Sequence, residues 1–274
     1  MLHIGLGFDA NYAPHARTFI RSIIDHTTED MLHFWVLVDE DVSAATCRAI
    51  TAETGERASV RFLESPHPTN SLPLNGSRLT RHISKSMYLR LFLCDLIDPD
   101  VERIIYVDSD MLCMSSLFPL RDIDLKGMTV GAVRDAYTRR LNDGGGIPGL
   151  REHSDIDPQD PYFNSGMLVI DTDRWRRQDV TRRCLEYLDR YAHESRYPDQ
   201  DALNFVLYGA WFRIPRAWNY MMGWRLEPAY GGDPSTAALV HCVGPTKFWD
   251  PDFPEFSEFK ARYWRYRHDL MDVS

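Results

Sequence analysis

Short apolar runs alternate with amphipathic stretches along the first third of this chain. Residues 2–8, Leu-His-Ile-Gly-Leu-Gly-Phe, read as a short buried strand that runs into Asp9-Ala10-Asn11-Tyr12. Ala16, Phe19, Ile20, Ile23 and Ile24 then recur at helical spacing, with Pro14 near the helix start. Residues 34–38 form a second predicted strand, ending at Asp39. Ser43 can cap a helix that runs to Glu53, and Gly55 suits its stop. Residues 60–63 give a third strand. Strand and helix in alternation predict a parallel sheet, and ligands of such sheets sit at the carboxyl ends of the strands.

The pattern continues after a Pro-, Asn- and Ser-rich loop at 65–77. A helix is expected over 84–97, turning Met87, Leu91, Cys94 and Ile97 inward and leaving Tyr88 and Arg90 off that stripe. Asp98-Pro99-Asp100 signals a turn before Ile104-Ile105-Tyr106-Val107, an unbroken apolar run that predicts a buried strand. Residues 130–133 are another strand, delivering Arg134 and Asp135. The run from Asn142 to Gly149 lacks the Gly-Lys-Ser/Thr of a phosphate-binding loop and reads as a mobile loop. Residues 163–171 lead from a loop into a strand, and a basic helical stretch follows with Trp175, Val180, Cys184 and Leu188 buried. Pro198-Asp199-Gln200-Asp201 opens a further helix, where acids are favoured by capping and by the helix dipole. Residues 238–243 are a late strand feeding Gly244-Pro245-Thr246-Lys247. Phe256, Phe259, Tyr263, Tyr266 and Leu270 recur at helical spacing in the tail. Basic and acidic residues cancel there, so a helix docked on its own domain is expected, with weak peripheral membrane contact as the lesser alternative. Residues 1–250 are expected to form one domain and residues 251–274 a helical tail.

Composition narrows the function. The 274 residues carry a net charge of −9, which argues against a nucleic-acid partner. The five cysteines are scattered, with no C-x-x-C pair, so neither a disulfide framework nor a structural zinc site is indicated and a cytoplasmic setting is expected. The N-terminus does not read as a signal peptide, and no apolar run approaches the roughly 20 residues that span a bilayer.

Candidate chemistry centres on Asp108-Ser109-Asp110. In an extended chain residues two apart share a face, so both carboxylates could aim at one point with Ser109 turned away. Two like charges held together call for a cation, although an isolated Asp-x-Asp serves equally well as a solvated turn. His241 adds an imidazole at a strand end. Two carboxylates and an imidazole suit Mn²⁺ better than Mg²⁺. Lys247 beside Gly244 suits phosphate, because glycine permits close approach and lysine brings charge. Asn164, Asp199 and Gln200 offer groups that bind hydroxyls. Together these suit a nucleotide-sugar.

On these residues the chain resembles the retaining glycosyltransferases of family 8, and among them the bacterial lipo-oligosaccharide α-galactosyltransferases. Seven stretches carry the resemblance in order: Asp9-Ala10-Asn11-Tyr12, Arg81-His82-Ile83-Ser84, Tyr88-Leu89-Arg90-Leu91, Tyr106-Val107-Asp108-Ser109-Asp110, Phe163-Asn164-Ser165-Gly166, Asp199-Gln200-Asp201 and His241-Cys242-Val243-Gly244-Pro245-Thr246-Lys247. The resemblance implies a GT-A fold, a Rossmann-like α/β domain with a mixed central sheet, and a UDP-sugar donor. It implies Mn²⁺ (with Mg²⁺ as the substitute) on Asp108, Asp110 and His241. It places Asp9, Asn11 and Tyr12 at uridine, Gly244 and Lys247 at the diphosphate, and Arg90, Ser109, Asn164 and Ser165 along the donor. It puts Asp199, Gln200 and Asp135 near the reacting sugars, and His82 and Tyr197 where acceptors bind. The loops at 65–77, 143–149 and 219–235 depart from the galactosyltransferase pattern, which leaves the acceptor open.

The implied reaction moves glucose or galactose from UDP to a hydroxyl of a surface glycan or lipo-oligosaccharide, with the α configuration retained. Gln200, an amide, is a poor nucleophile, so a front-face path is expected, with Asp199 orienting the sugar and standing as fallback nucleophile. Two alternatives are a sugar-1-phosphate nucleotidyltransferase and a non-catalytic nucleotide-sugar binder. The first would need a Gly-rich basic loop at residues 9–12, and the second would be favoured by loss of a metal ligand.

Overall fold

The computed structural model describes residues 1–66, 85–222, 234–253 and 257–271. Its order is β1 (Leu2–Phe8), α1 (Ala13–His26), β2 (Leu32–Val38), α2 (Ala44–Thr54), β3 (Ala58–Glu64), α3 (Leu89–Leu96), β4 (Arg103–Val107), β5 (Met111–Cys113), β6 (Val130–Arg134), β7 (Phe163–Asp171), α4 (Thr172–Arg177), α5 (Val180–Tyr191), α6 (Pro198–Val206), β8 (Trp211–Arg213), β9 (Tyr220–Met222), β10 (Leu239–Cys242) and α7 (Glu258–Met271). The seven-stranded sheet runs β3-β2-β1-β4-β7-β6-β8. β1 is parallel to β2 and to β4, β2 is parallel to β3, and β6 is parallel to β8; β7 is antiparallel to both β4 and β6. The expected parallel order of the first strands and the mixed character of the whole sheet are both present.

Alternation along the strands divides the core. Leu2, Ile4, Leu6 and Phe8 join Ile105 and Val107 on the face covered by α1, while Ile104 and Tyr106 point to the face covered by α3 and α5. The residues of β1 on that second face include Gly5 and Gly7. A Cβ at Gly5 would lie 2.3 Å from Leu93 Cδ2, and one at Gly7 would lie 2.9 Å from Leu89 Cβ. Missing side chains on one strand are what bring α3, with Arg90 in its first turn, down onto the sheet.

Ser43 caps α2 by accepting from the Thr46 N–H at 3.1 Å, and Gly55 ends the helix at φ 64°, as expected. Several expectations need correction. Residues 108–110 are a turn rather than the end of an extended strand, since β4 stops at Val107. Tyr88 and Arg90 are buried along with the expected stripe, because this segment is covered on nearly all sides and Arg90 is paired with Asp108 and Asp199. The basic stretch is two helices, α4 and α5, broken at Asp179 with φ 53°. β5, β8 and β9 were not expected; each has three residues, too few for a periodic signal. The Gly-rich loop has a small core of its own, in which Leu141, Ile147, Leu150, Ile156 and Tyr162 are buried. In the tail, Phe259 and Tyr263 are buried, α7 packs on α1, and the Tyr263 hydroxyl meets His15 Nδ1 at 2.5 Å. The apolar side of the helix is thus occupied by its own domain, which leaves membrane contact without support. No described helix is long and apolar enough to cross a membrane.

Two features serve the site. Between β6 and β7 the register jumps from Ala132↔Leu168 to Val133↔Asn164, so Ser165, Gly166 and Met167 are released from pairing with β6. A second sheet, β5-β10-β9, pairs His241 with Met111, one residue beyond Asp110.

Asp201 in α6 is structural. Its carboxylate accepts from the Tyr162 hydroxyl at 2.6 Å and from the Tyr197 N–H at 3.3 Å, fixing α6 to the entry of β7. Burial pushes its pKa up to about 7, against about 3.9 in an unfolded chain. The folded chain therefore holds a proton that the unfolded chain has released between those values. The associated stability is present below the lower value and is lost as pH rises through the upper one. We expect Asp201→Asn to lack this term, so that the melting-temperature gap between parent and variant moves in the variant's favour from pH 4 to pH 7. A gap constant across that range would contradict the assignment.

Candidate active site

β1, β4 and β6 end at the same edge of the sheet, and β7 begins there. One cleft opens at this edge. It is lined by Tyr12, Arg90, Asp108, Ser109, Asp110, Asp135, Asn164, Ser165, Tyr197, Asp199, Gln200, His241 and Lys247 among others. Most of the expected site residues are therefore brought together from positions up to 235 residues apart, 247 − 12. Asp9 sits behind the wall, buried, accepting from the Tyr12 N–H at 3.0 Å and the Ser86 hydroxyl at 3.4 Å. Asn11 is exposed and does not line the cleft, nor does Gly244, which lies buried in the turn before Lys247. Ser109 does line it, because the chain turns at that point. His82 lies outside the described residues.

The electrostatic centre is the Asp108–Asp110 pair. Arg90 Nη2 holds Asp108 Oδ1 at 2.9 Å, and the Tyr106 hydroxyl donates to the same oxygen at 2.8 Å. Lys247 Nζ holds Asp110 Oδ2 at 2.6 Å. The other two oxygens face inward: Asp108 Oδ2 is 3.8 Å and Asp110 Oδ1 3.2 Å from His241 Nε2. One ligand atom from each of the three residues lies within 4.8 Å of the other two. Burial pushes Asp110 up, but Lys247 and His241 outweigh it and hold this carboxyl well below the usual range. Burial also pushes Asp108 up, and there the effect of burial and of Asp110 exceeds the attraction of Arg90. Arg90 is shared with Asp199 at 3.1 Å, so three carboxylates face two fixed cations, and the negative charge left over is the condition for taking up a divalent ion.

The imidazole is prepared for that role. His241 Nδ1 is 3.0 Å from Asn219 Oδ1, and Asn219 Nδ2 donates to Asn164 Oδ1 at 2.8 Å. With its amide oxygen on the ring, Asn219 accepts a hydrogen bond from the Nδ1–H and sets Nε2 as the ring atom that faces the two carboxylates. Oδ1 of Asn164 also accepts from the Gly166 N–H at 3.0 Å, and its Nδ2 donates to Asp135 Oδ2 at 3.0 Å. A row of amides therefore ties the imidazole to Asp135. Gly166 makes the approach sterically possible, since a Cβ there would fall 2.3 Å from His241 Cε1 and 2.8 Å from Asp108 Oδ2. Two carboxylates and an imidazole fit a hard or borderline divalent cation, and the three inward atoms could hold one.

On the other side of the cleft, Arg90 Nε pairs with Asp199 Oδ2 at 3.1 Å and Nη1 donates to Ser165 Oγ at 2.8 Å. Gln200 Oε1 accepts the Ser165 N–H at 2.9 Å, which turns Nε2 toward Asp135 Oδ2 at 3.4 Å. Arg90 thus spans the acidic pair and Asp199. Tyr12 meets Trp249 edge to face at 5.8 Å, and burial pushes its hydroxyl up to about 12. Among the residues missed from sequence, Asn219 carried no signal, because its role depends on a contact 22 positions away. Tyr106 could have been found, since it is two residues before Asp108.

A Rossmann-like sheet with an Asp-Asp-His cluster and a lysine at its carboxyl edge defines a GT-A glycosyltransferase fold. Residues 3–252 match the family model described as glycosyl transferase family 8, and the chain belongs to that family. It is 28% identical to General stress protein A of Bacillus subtilis (strain 168), over 91% of this chain and 88% of the relative. It is 26% identical to the lipopolysaccharide 1,2-glucosyltransferase of Escherichia coli (strain K12), over 90% of this chain and 72% of the relative. A crystal structure of the galactosyltransferase LgtC with donor and acceptor sugar analogues superimposes with a TM-score of 0.79 at 27% identity, covering 98% of this chain and 96% of that one. Family membership sets aside the nucleotidyltransferase alternative.

Asn219→Ala removes the acceptor for the Nδ1 proton without touching a carboxylate. We expect Mn²⁺ affinity, read by EPR titration of free ion, to fall roughly 10–100-fold, and the metal-free chain to fold cooperatively at a lower melting temperature, because the buried Asn164 amide and the imidazole each lose a partner. An unchanged affinity would show that Asn219 does not prepare His241.

Proposed function

We propose that this chain transfers a hexose, glucose or galactose, from a UDP-sugar to a hydroxyl of a glycan acceptor, with retention of configuration. The supporting observation is the convergence of Asp108 Oδ2, Asp110 Oδ1 and His241 Nε2 in the same cleft as Lys247 and the Arg90–Asp199 pair. Asp108, Asp110 and His241 would hold Mn²⁺, with Mg²⁺ as the substitute, and the ion would supply Lewis-acid stabilisation of the departing diphosphate. The named lipopolysaccharide glucosyltransferase and the LgtC complex favour a bacterial surface glycan as the acceptor class. Residues 1–250 act as the catalytic unit with the 251–274 tail docked on it. The five cysteines are all thiols, which agrees with work in the cytoplasm.

In this reading Lys247 neutralises developing charge on the UDP leaving group, and Tyr12, braced from behind by Asp9, forms the uridine end of the cleft. Arg90, Ser109, Asn164 and Ser165 position the donor, and Asp135 and Tyr197 face the acceptor. Two contacts support a front-face path. Asp199 is neutralised by Arg90, which makes it a weak nucleophile, and the carbonyl oxygen of Gln200 is engaged by the Ser165 amide. Asp199 then orients the sugar, Gln200 faces the developing oxocarbenium, and departing UDP takes the acceptor proton.

The test is UDP release from a panel of UDP-sugars with Mn²⁺ or EDTA. We expect slow release from one hexose donor, abolished by EDTA and in Asp110→Ala. Lys247→Ala should lower kcat by roughly 10²–10³, the usual loss when one charge-stabilising donor is removed. Absence of both UDP release and Mn²⁺-dependent UDP binding would overturn the proposal. Tight UDP-sugar binding with no turnover on any acceptor would instead favour the non-catalytic binder.

A further inference from the structure

Four aromatic rings from three parts of the chain meet at the Tyr12 end of the cleft. Tyr12 and His15 stand at the start of α1, where the His15 N–H donates to the Tyr12 carbonyl at 2.9 Å. Trp249 follows Lys247 in a closed turn: the Asp250 N–H donates to the Lys247 carbonyl at 2.9 Å, and the Lys247 N–H donates to Asp250 Oδ2 at 2.6 Å. Tyr263 comes from the tail helix α7. His15 and Trp249 lie face to face, with centroids 3.5 Å apart and planes 10° from parallel. Tyr12 is wedged against both, at 6.0 Å and 77° to His15 and at 5.8 Å and 86° to Trp249. Tyr263 is buried and backs the stack, its hydroxyl 2.5 Å from His15 Nδ1 and its ring 5.6 Å from Trp249. Burial, aided by Arg267, pushes His15 down to about 4, so the imidazole stacks as a neutral ring. Tyr12 alone among the four lines the cleft.

We propose that Trp249 and His15 are positioning residues for the donor: their stack, locked by Tyr263 of the tail, fixes the Tyr12 ring relative to Lys247 and so shapes the cleft for a nucleoside diphosphate over a bare diphosphate. The proposal rests on the glycosyltransferase reading and deepens it at the nucleotide end. A tyrosine without a brace turns between rotamers, and ordering it on binding counts against affinity. With a ring on two sides, Tyr12 is ordered when the chain folds. Lys247 is held separately, by Asp110 Oδ2 at 2.6 Å and by the Cys242 carbonyl, so the stack governs Tyr12 more than the lysine. The tail is then part of the donor site, although none of its described residues lines the cleft.

The test uses the full chain with Mn²⁺. Affinities for UDP and for pyrophosphate are measured by calorimetry in the parent, Trp249→Leu, Trp249→Phe and Tyr263→Phe, beside the melting temperature of each. We expect Trp249→Leu to weaken UDP roughly tenfold and Tyr263→Phe roughly threefold, the scale of lost ring pairs and of one hydrogen bond. Pyrophosphate affinity should be retained in both, because Lys247 and the acidic pair keep their own partners. Trp249→Phe should restore most of the UDP affinity. A lower melting temperature with unchanged UDP affinity, or equal losses for UDP and pyrophosphate, would show a structural role alone and overturn the proposal. If Trp249→Leu does not fold, Tyr263→Phe decides between the same results. Absence of UDP binding by the parent would instead count against the glycosyltransferase reading.

Discussion

Two carboxylates held in one partly buried corner are the constraint around which this molecule is arranged. Asp108 and Asp110 repel each other, and burial raises the cost of keeping both ionised. The fold answers with one cation on each outer oxygen, Arg90 and Lys247. Each comes from a different element, and each requires a particular backbone arrangement to reach the corner. Arg90 arrives because Gly5 and Gly7 allow α3 to settle on β1. Lys247 arrives because β10 pairs with β5 immediately after Asp110.

The same pairing explains the third partner. His241 stands opposite Met111, so its ring falls beside the carboxylates instead of facing solvent. Gly166, freed from pairing with β6 at the bulge in β7, leaves room for it, and Asn219 fixes its tautomer. From Asn219 the hydrogen bonds continue through Asn164 to Asp135 and Gln200. Charge at the diphosphate end and geometry at the sugar end are thus parts of one bonded array. Removing a member should be felt on both sides, because its neighbours would be left buried and unpaired.

Much of this was legible in the sequence, for identifiable reasons. Strands β1 to β4 are apolar runs bounded by turn signals, and α1 has a clear helical period, so the parallel half of the sheet followed directly. Asp108, Asp110, His241 and Lys247 could be named because each stands at the end of a strong apolar strand or in a glycine turn. Legibility failed where a side chain's position depends on non-local packing. Arg90 was expected off the buried stripe, since periodicity cannot show that a salt bridge compensates a buried guanidinium. The turn at 108–110 was read as extended, because a two-residue alternation looks the same in both. The strands β5, β8 and β9 are too short to show a period, yet it is the pairing of β10 with β5 that sets His241 beside the carboxylates.

The central claim is that Asp108, Asp110 and His241 together hold a divalent cation at the donor diphosphate. Electron spin-echo envelope modulation on the chain loaded with Mn²⁺ and UDP tests it most directly, because it reports nuclei bound to the ion. The account predicts a directly coordinated nitrogen that disappears in His241→Gln, together with phosphorus coupling from UDP. Bound Mn²⁺ that shows no histidine nitrogen, or the same nitrogen signal in the variant, would contradict it.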